Sequence, residues 1–471
     1  MDNICLLSDS YKFAHYKMYP KNTRTIYSYL ECRKWAKYPK TVFFGLQSIL
    51  LKNMVGRRVT REKITVAKTI IQNHFGQNLF NEDGWLHIVK KHNGYLPLSI
   101  KAVPEGTPVD INNVMMTVEN TDPKCYWLTN FVESLLTHVW YPSTVATISY
   151  YTKRTLAEYL NISSEQTQCL DFMLHDFGYR GVSSNESASL GGLAHLINFK
   201  GTDTVPALLE GIEYYQADPK TLGFSVPATE HSIMTSYDHQ GEVTLVNELL
   251  QKYPNGILSI VADSYDIYNF VENIIPKFKQ QIINRKANKS GIAKVVIRPD
   301  SITQQHKHPG KQIVWILKQL ANTFGYHVNS KGYTVINPVV GVLWGDGLSV
   351  NTITEICKIV VENKFSVESL VFGMGGGLLQ KINRDTQAFA FKCSAQKRCN
   401  TWHDISKRPK DKNKQSKKGR LRLIYADDEK CFKTVNYDYL PQHINKLVEV
   451  YRNGRLLVTQ KFDTIRQRSL Q

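Results

Sequence analysis

Seven times between residues 169 and 377 the chain runs through a short apolar stretch rich in β-formers, ends it in polar or glycine residues, and continues into a helical pattern. Cys169–Leu174 leads into His175-Asp176-Phe177-Gly178, and His195–Lys200 into Gly201-Thr202-Asp203. Leu222–Val226 precedes Pro227 and Glu230-His231-Ser232, and Ile257–Ala262 precedes Asp263-Ser264-Tyr265-Asp266. Lys294–Ile297, Val339–Trp344 and Ser369–Phe372 end in Arg298-Pro299-Asp300-Ser301, Gly345-Asp346-Gly347 and Gly373-Met374-Gly375-Gly376-Gly377. The junctions recur at roughly 25–50 residues, the length of a strand-plus-helix unit. Helical apolar spacing in Gly310–Phe324 and Val350–Asn363 fills the intervals. Strands alternating with helices imply a parallel sheet covered by helices. Polar groups at all seven strand ends favour a (β/α) barrel, which gathers its chemistry at those ends, over a doubly wound sheet with a single switch point.

The flanks read differently. Thr25–Glu31, Leu98–Val103 and Val114–Glu119 are strand-like, Phe44–Leu51 and Tyr126–Val139 helical, and the tail after about residue 385 is strand-rich. The expected organisation is a barrel over 141–385 and a smaller α+β domain built from 1–140 together with 386–471. The most apolar windows, such as Val339–Trp344, fall far short of the ~20 residues a membrane helix needs. No signal peptide is evident at the start, so a soluble, cytoplasmic protein is expected. Its eight cysteines form no Cys-x-x-Cys pair, and they read as reduced thiols rather than a zinc site or disulfide framework.

With 59 Lys and Arg against 41 Asp and Glu the net charge is +18. Much of the excess is local: 407–422 holds nine basic residues and one acid, a net +8. Taken alone, such a run is a solvated linker, an anion-binding loop or a nucleic-acid patch, and it lacks the interleaved aromatics of a single-strand binder.

Each strand end carries two readings. The glycines of 373–377 let backbone amides approach a phosphate, or simply make a tight turn. Arg298 is able to hold a phosphate in two-pronged fashion and Asp300 a sugar hydroxyl or hydrated magnesium; the two could equally form a structural ion pair. Asp263, Asp266 and Asp346 sit at similar junctions, and carboxylates converging on one barrel mouth would need cations. His231 is a phosphate acceptor, a general base or a satisfied helix-end histidine. Phe177 and Arg180 lie in a glycine-flanked loop, where an aromatic stacks on a flat ring or anchors the loop.

These motifs, taken in order, resemble the nicotinamide phosphoribosyltransferases of the type II phosphoribosyltransferase family. The resemblance is carried by Asp9-Ser10-Tyr11-Lys12, Glu31-Cys32-Arg33, Thr121-Asp122-Pro123, the run 175–184, Phe199–Thr204 and Glu230-His231-Ser232. Asp263–Tyr268, Ile297–Ser301, Gly345-Asp346-Gly347, 375–381, Arg384-Asp385 and Ser416–Leu421 continue it. It weakens at 272–293, 302–335, 395–413 and 424–450; Ile302-Thr303 replaces glycine, and Met374, Ala390 and Trp344 stand where polar residues are usual.

The resemblance implies an irregular (β/α) barrel with a flanking sheet domain, working as a homodimer with active sites at the interface. It implies that Phe177 and Tyr11 of the partner subunit sandwich nicotinamide, that Asp203 accepts from the carboxamide, and that Arg298 lies alongside the base. Arg180, Asp300, Gly345, Asp346, Gly375, Gly376 and Arg384 would hold the ribose phosphate, and Arg33, Lys392 and Lys414 the phosphates or ATP. His231 matches the histidine that family members phosphorylate with ATP. His175, Asp263 and Asp266 would support the ribose and magnesium pyrophosphate, the Mg2+ being held mainly by the pyrophosphate near Asp263 and Asp300. The expected reaction joins nicotinamide to 5-phosphoribosyl 1-pyrophosphate, giving nicotinamide mononucleotide and pyrophosphate. The nearest rival takes nicotinate, whose carboxylate Asp203 would repel. A non-enzymic alternative is nucleic-acid binding through 407–422.

Overall fold

The computed structural model describes residues 3–407, 409–410, 415–437 and 444–470. The chain forms two compact units. One comprises Met1–Thr147, Glu210–Ala217 and Ile382–Gln471; the other comprises Ile148–Leu209 and Asp218–Lys381.

The second unit is the expected barrel. Its strands are β1 (Leu174–Asp176), β2 (Gly201–Thr202), β3 (Ile257–Val261), β4 (Lys294–Arg298), β5 (Val340–Trp344) and β6 (Leu370–Met374). They form one parallel sheet in the order β2-β1-β6-β5-β4-β3. Val295, Ile297, Val340, Val342 and Phe372 are buried, as strands covered on both faces require.

The sheet's two edges are joined by the segment 224–229. Phe224 bridges Gly201 of β2, and Ala228 bridges Ser259 of β3, both in parallel sense. The Thr202 amide donates to the Phe224 carbonyl (3.0 Å), and the Ser259 amide to the Pro227 carbonyl (3.0 Å). Proline has no amide to give to a ladder, so this stave cannot pair regularly, and a side chain stands in. The Thr229 hydroxyl accepts from the Val261 amide at 2.9 Å. With this segment the seven expected strand positions follow one another round a closed ring in chain order.

Local sequence sets the helix starts. Pro309–Phe324 begins with proline in its first turn, and the His308 ring accepts from the Gly310 amide. Val350–Glu362 is capped by Ser349, whose hydroxyl accepts from Thr352. Two expectations fail: Cys169–Leu174 is 3-10 helical through Phe172, with the strand starting only at Leu174, and His195–Lys200 is not a strand. Asn185–Leu196 is helical through His195, whose ring is buried between the Ser149 hydroxyl (2.9 Å) and the Gly201 carbonyl (3.1 Å). The apolar run Leu193–Phe199 is buried on a helix and its exit turn, and burial by itself does not choose between helix and strand.

The first unit is the larger of the two, not the smaller as expected. Seven strands form its sheet, in the order Thr401–Asp404, Phe389–Arg398, Thr23–Cys32, Val114–Asn120, Leu98–Ala102, Val448–Arg452, Arg455–Leu456. The pairing of Thr23–Cys32 with Phe389–Arg398, and of Leu98–Ala102 with Val448–Arg452, interleaves the two ends of the chain in one α+β fold. Ile64, Ala67 and Ile71 on one helix and Trp85 and Ile88 on another bury helical faces in its core, each large side chain contributing about 1.5–3 kcal/mol. Glu210–Ala217 joins this unit through polar ties the chain order does not announce. Buried Glu105 accepts from the Gly45 and Gln47 amides and the Tyr215 hydroxyl, and Lys52 pairs with Glu210 at 2.8 Å.

Thr229→Val keeps the shape of the closing stave but strands the buried Val261 amide. It is expected to lower stability by about 1–3 kcal/mol in urea unfolding. Unchanged stability would mean the hydroxyl is not what closes the ring.

Candidate active site

Parallel register puts the C-terminal ends of the staves at one mouth. His175 and Asp176 lie level with Gly201 and Thr202 on one side and with Gly373 and Met374 on the other, and Val261 lies level with Arg298. The segments that follow these positions therefore leave the sheet at the same end.

Phe177 is held by its surroundings. Its amide donates to the Met374 carbonyl at 3.0 Å, its ring stacks with His175 (5.8 Å, 17°), and the Arg298 guanidinium lies 5.2 Å from the ring centre. Gly373 makes room for it, since a Cβ there would stand 2.1 Å from Phe177 Cε2. Gly377 is likewise required, by the Leu348 carbonyl. Gly376 faces open space and Gly375 meets little beyond the Phe177 carbonyl, so these two glycines leave their backbones approachable. The glycine cluster thus divides into a packing half and a half free to meet a ligand.

Arg298 and Asp300 form the two-pronged ion pair, with Nε to Oδ1 at 2.9 Å and Nη2 to Oδ2 at 2.8 Å. Asp263, with 5 % of its side chain exposed, accepts from the Asp300 amide at 2.9 Å and from the Ser301 hydroxyl, and its other oxygen faces His231 Nε2 at 3.3 Å. The His231 side chain is half exposed at the start of the helix His231–Thr235. With Nε2 committed to Asp263, its Nδ1 is the nitrogen left for chemistry. Asp203 follows β2 and accepts from the Ser225 hydroxyl through Oδ1, which leaves Oδ2 as an acceptor. Burial holds the His175 imidazole below its ordinary pKa, against the opposing pull of Asp203.

Other expected residues are less engaged. Arg180 and Asp346 are exposed on their loops, and the buried Trp344 indole fixes the second loop by donating to the Asp346 carbonyl at 2.9 Å. Asp266 caps a short helix by accepting from Tyr268. The divergent 302–308 loop is anchored by Tyr268 and Gln312 on Thr303.

In the other unit, Lys392 lies opposite Tyr29 on the central strands. Burial lowers its pKa; Glu133 opposes this, while Arg33, Arg384 and Lys407 push the same way as burial. Four cations sharing one small region is an arrangement an anion would relieve. Tyr11 is exposed, and its hydroxyl feels burial, Asp9 and Glu133, all raising its pKa, against Arg384. Lys414 lies outside the described residues. Among the described residues of the basic run, several are engaged: Lys417 pairs with Glu31 at 2.6 Å, Arg420 and Arg422 lie over the Tyr437 ring, and Leu421–Ala426 pairs with Cys431–Asn436.

Sequence reading passed over Asp176. It is fully buried under the mouth, where Gly178 donates to it at 2.8 Å and the Asp203 amide donates to its carbonyl at 2.9 Å. Burial pushes its carboxyl up to about 6. A carboxylate between His175 and Phe177 looks like one more strand-end polar group, and only the backbone reveals that it points inward.

This fold is shared with the crystal structure of nicotinate-nucleotide pyrophosphorylase from Pyrococcus furiosus, with a TM-score of 0.58 at 15% identity over 100% of this chain and 95% of that one. Residues 172–453 match the nicotinate phosphoribosyltransferase (NAPRTase) family, and residues 3–100 the nicotinamide phosphoribosyltransferase N-terminal domain. The chain belongs to the nicotinate phosphoribosyltransferase family. It is 42% identical to a nicotinamide phosphoribosyltransferase of Xanthomonas campestris over 99% of this chain and 98% of that protein. It is 32% identical to one of Acinetobacter baylyi over 98% and 96%.

The raised Asp176 pKa has a thermodynamic sign. Between the ordinary value of 3.8 and about 6 the folded chain holds a proton that the unfolded chain has released. Stability therefore falls as pH rises through that window, by on the order of 3 kcal/mol, and the cost persists at neutral pH. Asp176→Asn should flatten this decline in urea titrations across the window. An unchanged slope would place the titration elsewhere.

Proposed function

We propose that the chain is a nicotinamide phosphoribosyltransferase, a pentosyltransferase of NAD biosynthesis that joins nicotinamide to 5-phosphoribosyl 1-pyrophosphate. The observation that carries this reading is the full-length match, at 42% identity, to a relative of that name. The barrel mouth agrees with it chemically.

Phe177, steadied by His175 and Arg298, offers a flat face for a pyridine ring. Asp203, turned by Ser225, offers an acceptor to a carboxamide N–H and repels a carboxylate. The second face of the ring would be covered by Tyr11 of the partner subunit in a homodimer. Support for a dimer comes from the exposed apolar side chains of Val205 and Leu209 in the barrel unit.

The pyridine nitrogen is a neutral nucleophile and needs no base. It displaces pyrophosphate at the anomeric carbon through an oxocarbenium-like transition state, so the chain's task is to position both reactants and stabilise the departing charge. Arg180 and the Gly375 and Gly376 amides suit the ribose phosphate. Arg33, Arg384 and Lys392 suit further phosphates or ATP. Magnesium fits as an ion carried by pyrophosphate: both Asp300 oxygens are taken by Arg298 and Asp263 is saturated by donors, so the mouth offers no bare carboxylate cage. Bound there, the ion would neutralise the leaving group. His231, aligned by Asp263, is the acceptor for the phosphoryl group of ATP, coupling its hydrolysis to synthesis. The metabolic role and unpaired thiols agree with a cytoplasmic location.

Asp203→Asn tests the specificity. The ratio of kcat/KM for nicotinamide over nicotinate should drop roughly 10- to 100-fold, the worth of a charged hydrogen bond; an unchanged ratio would remove Asp203 from substrate selection. His231→Ala should retain ATP-independent synthesis and lose ATP stimulation, and full stimulation in that variant would overturn the phosphohistidine.

A further inference from the structure

The sheet unit gathers four metal-ligating side chains that no spacing rule connects. His87 and His92 come from the helix Glu82–His92; Asp122 and Cys125 come from the turn that begins about thirty residues later. Both imidazoles direct Nε2 at the same Asp122 oxygen, Oδ2, at 2.8 Å and 2.7 Å. The one ligand atom of each residue lies within 4.8 Å of every other. His87, His92 and Asp122 are partly exposed, whereas Cys125 is fully buried beneath them.

The positions are fixed by the backbone. Asp122 Oδ1 accepts from the Lys124 amide at 2.8 Å, which turns Oδ2 toward the imidazoles. The Asp122 carbonyl accepts from Asn120 Nδ2 at 2.8 Å and from the Cys125 amide at 2.9 Å, so the thiol hangs from the same turn. His92 is the last residue of its helix, and left-handed Asn93 (φ 49°) ends the helix there, bringing the two rings to 5.8 Å.

We infer that His87, His92, Asp122 and Cys125 form a binding site for a single zinc ion that ties the helix Glu82–His92 to the turn at Pro123–Cys125. Two imidazoles, a thiolate and a carboxylate are the donors zinc takes in tetrahedral sites; magnesium and calcium prefer oxygen alone. Zinc–nitrogen, –oxygen and –sulfur bonds of about 2.0–2.3 Å put tetrahedral ligands roughly 3.3–3.8 Å apart. The present separations, from 2.7 Å up to at most 4.8 Å, bracket that spacing. On binding, each imidazole carries its proton on Nδ1 in place of Nε2, so both Nε2 atoms give their lone pairs to the metal, and the Cys125 thiol loses its proton to solvent as sulfur becomes a ligand. The partly exposed histidine side is the way in.

The test uses the full-length protein, stripped with chelator and titrated with zinc against a chromophoric competitor. One zinc per chain is expected, with affinity at least tenfold weaker in His87→Gln, whose amide can still donate to Asp122 and spare the fold. Cobalt in place of zinc should give tetrahedral visible bands and a thiolate-to-cobalt charge-transfer band, and Cys125→Ala should remove the latter. Zinc should also raise the thermal midpoint of the wild type but not of the His87→Gln/His92→Gln double variant. Equal zinc affinity in wild type and double variant would overturn the site and leave a hydrogen-bonded histidine–aspartate staple.

Discussion

The Asp263 carboxylate accepts from the Asp300 amide and the Ser301 hydroxyl with one oxygen and faces His231 with the other. Three staves of the barrel meet at that group: β3 carries it, β4 supplies the loop it grips, and the segment that closes the ring leads into His231. Asp300 in turn clamps Arg298, which lies over Phe177, and the Phe177 ring fills the space that Gly373 leaves. A nearly buried charge is costly unless it is matched by donors, and matching this one fixes the geometry of the mouth. The arrangement also divides the labour among carboxylates. Asp263 and Asp300 are spent on architecture, Asp176 is buried below, and Asp203 keeps one oxygen available.

Much of this was legible in the sequence because parallel barrels write their chemistry at strand ends. Seven apolar runs with polar endings marked the staves, and Phe177, His231, Asp263 and Arg298 stood out at those endings with more than one reading each, while the part given to Asp203 came from the family resemblance. Two runs were misread: Cys169–Leu174 is mostly a 3-10 turn ahead of a short strand, and His195–Lys200 is apolar because it is a buried helix exit, which periodicity cannot separate from a buried strand. Length misled as well, since the closing stave pairs by isolated bridges around Pro227 and no regular strand forms there. The Arg298–Asp300 pair was open to two readings, and the backbone chose the ion pair without excluding a ligand beside it.

What could not be read were relations between distant segments. Glu210–Ala217 joins the sheet unit because a buried Glu105 needs Tyr215. The basic run 407–422 read on its own as a solvated linker, an anion-binding loop or a nucleic-acid patch, yet Lys417 finds Glu31 across the interleaved ends of the chain, and Arg420 and Arg422 lie over Tyr437. Counting cysteine spacings likewise misses a cluster whose thiol answers to histidines more than thirty positions earlier. In each case a polar group is satisfied across the fold, and composition does not say by whom.

The choice between nicotinamide and nicotinate is read directly from product formation by the purified protein. Phosphoribosyl pyrophosphate and magnesium would be supplied with nicotinamide or nicotinate, each with and without ATP, and the mononucleotide product identified by mass. The account predicts nicotinamide mononucleotide from the amide, increased by ATP, and little product from the acid. Preferred turnover of nicotinate would contradict it, and with it the part given to Asp203.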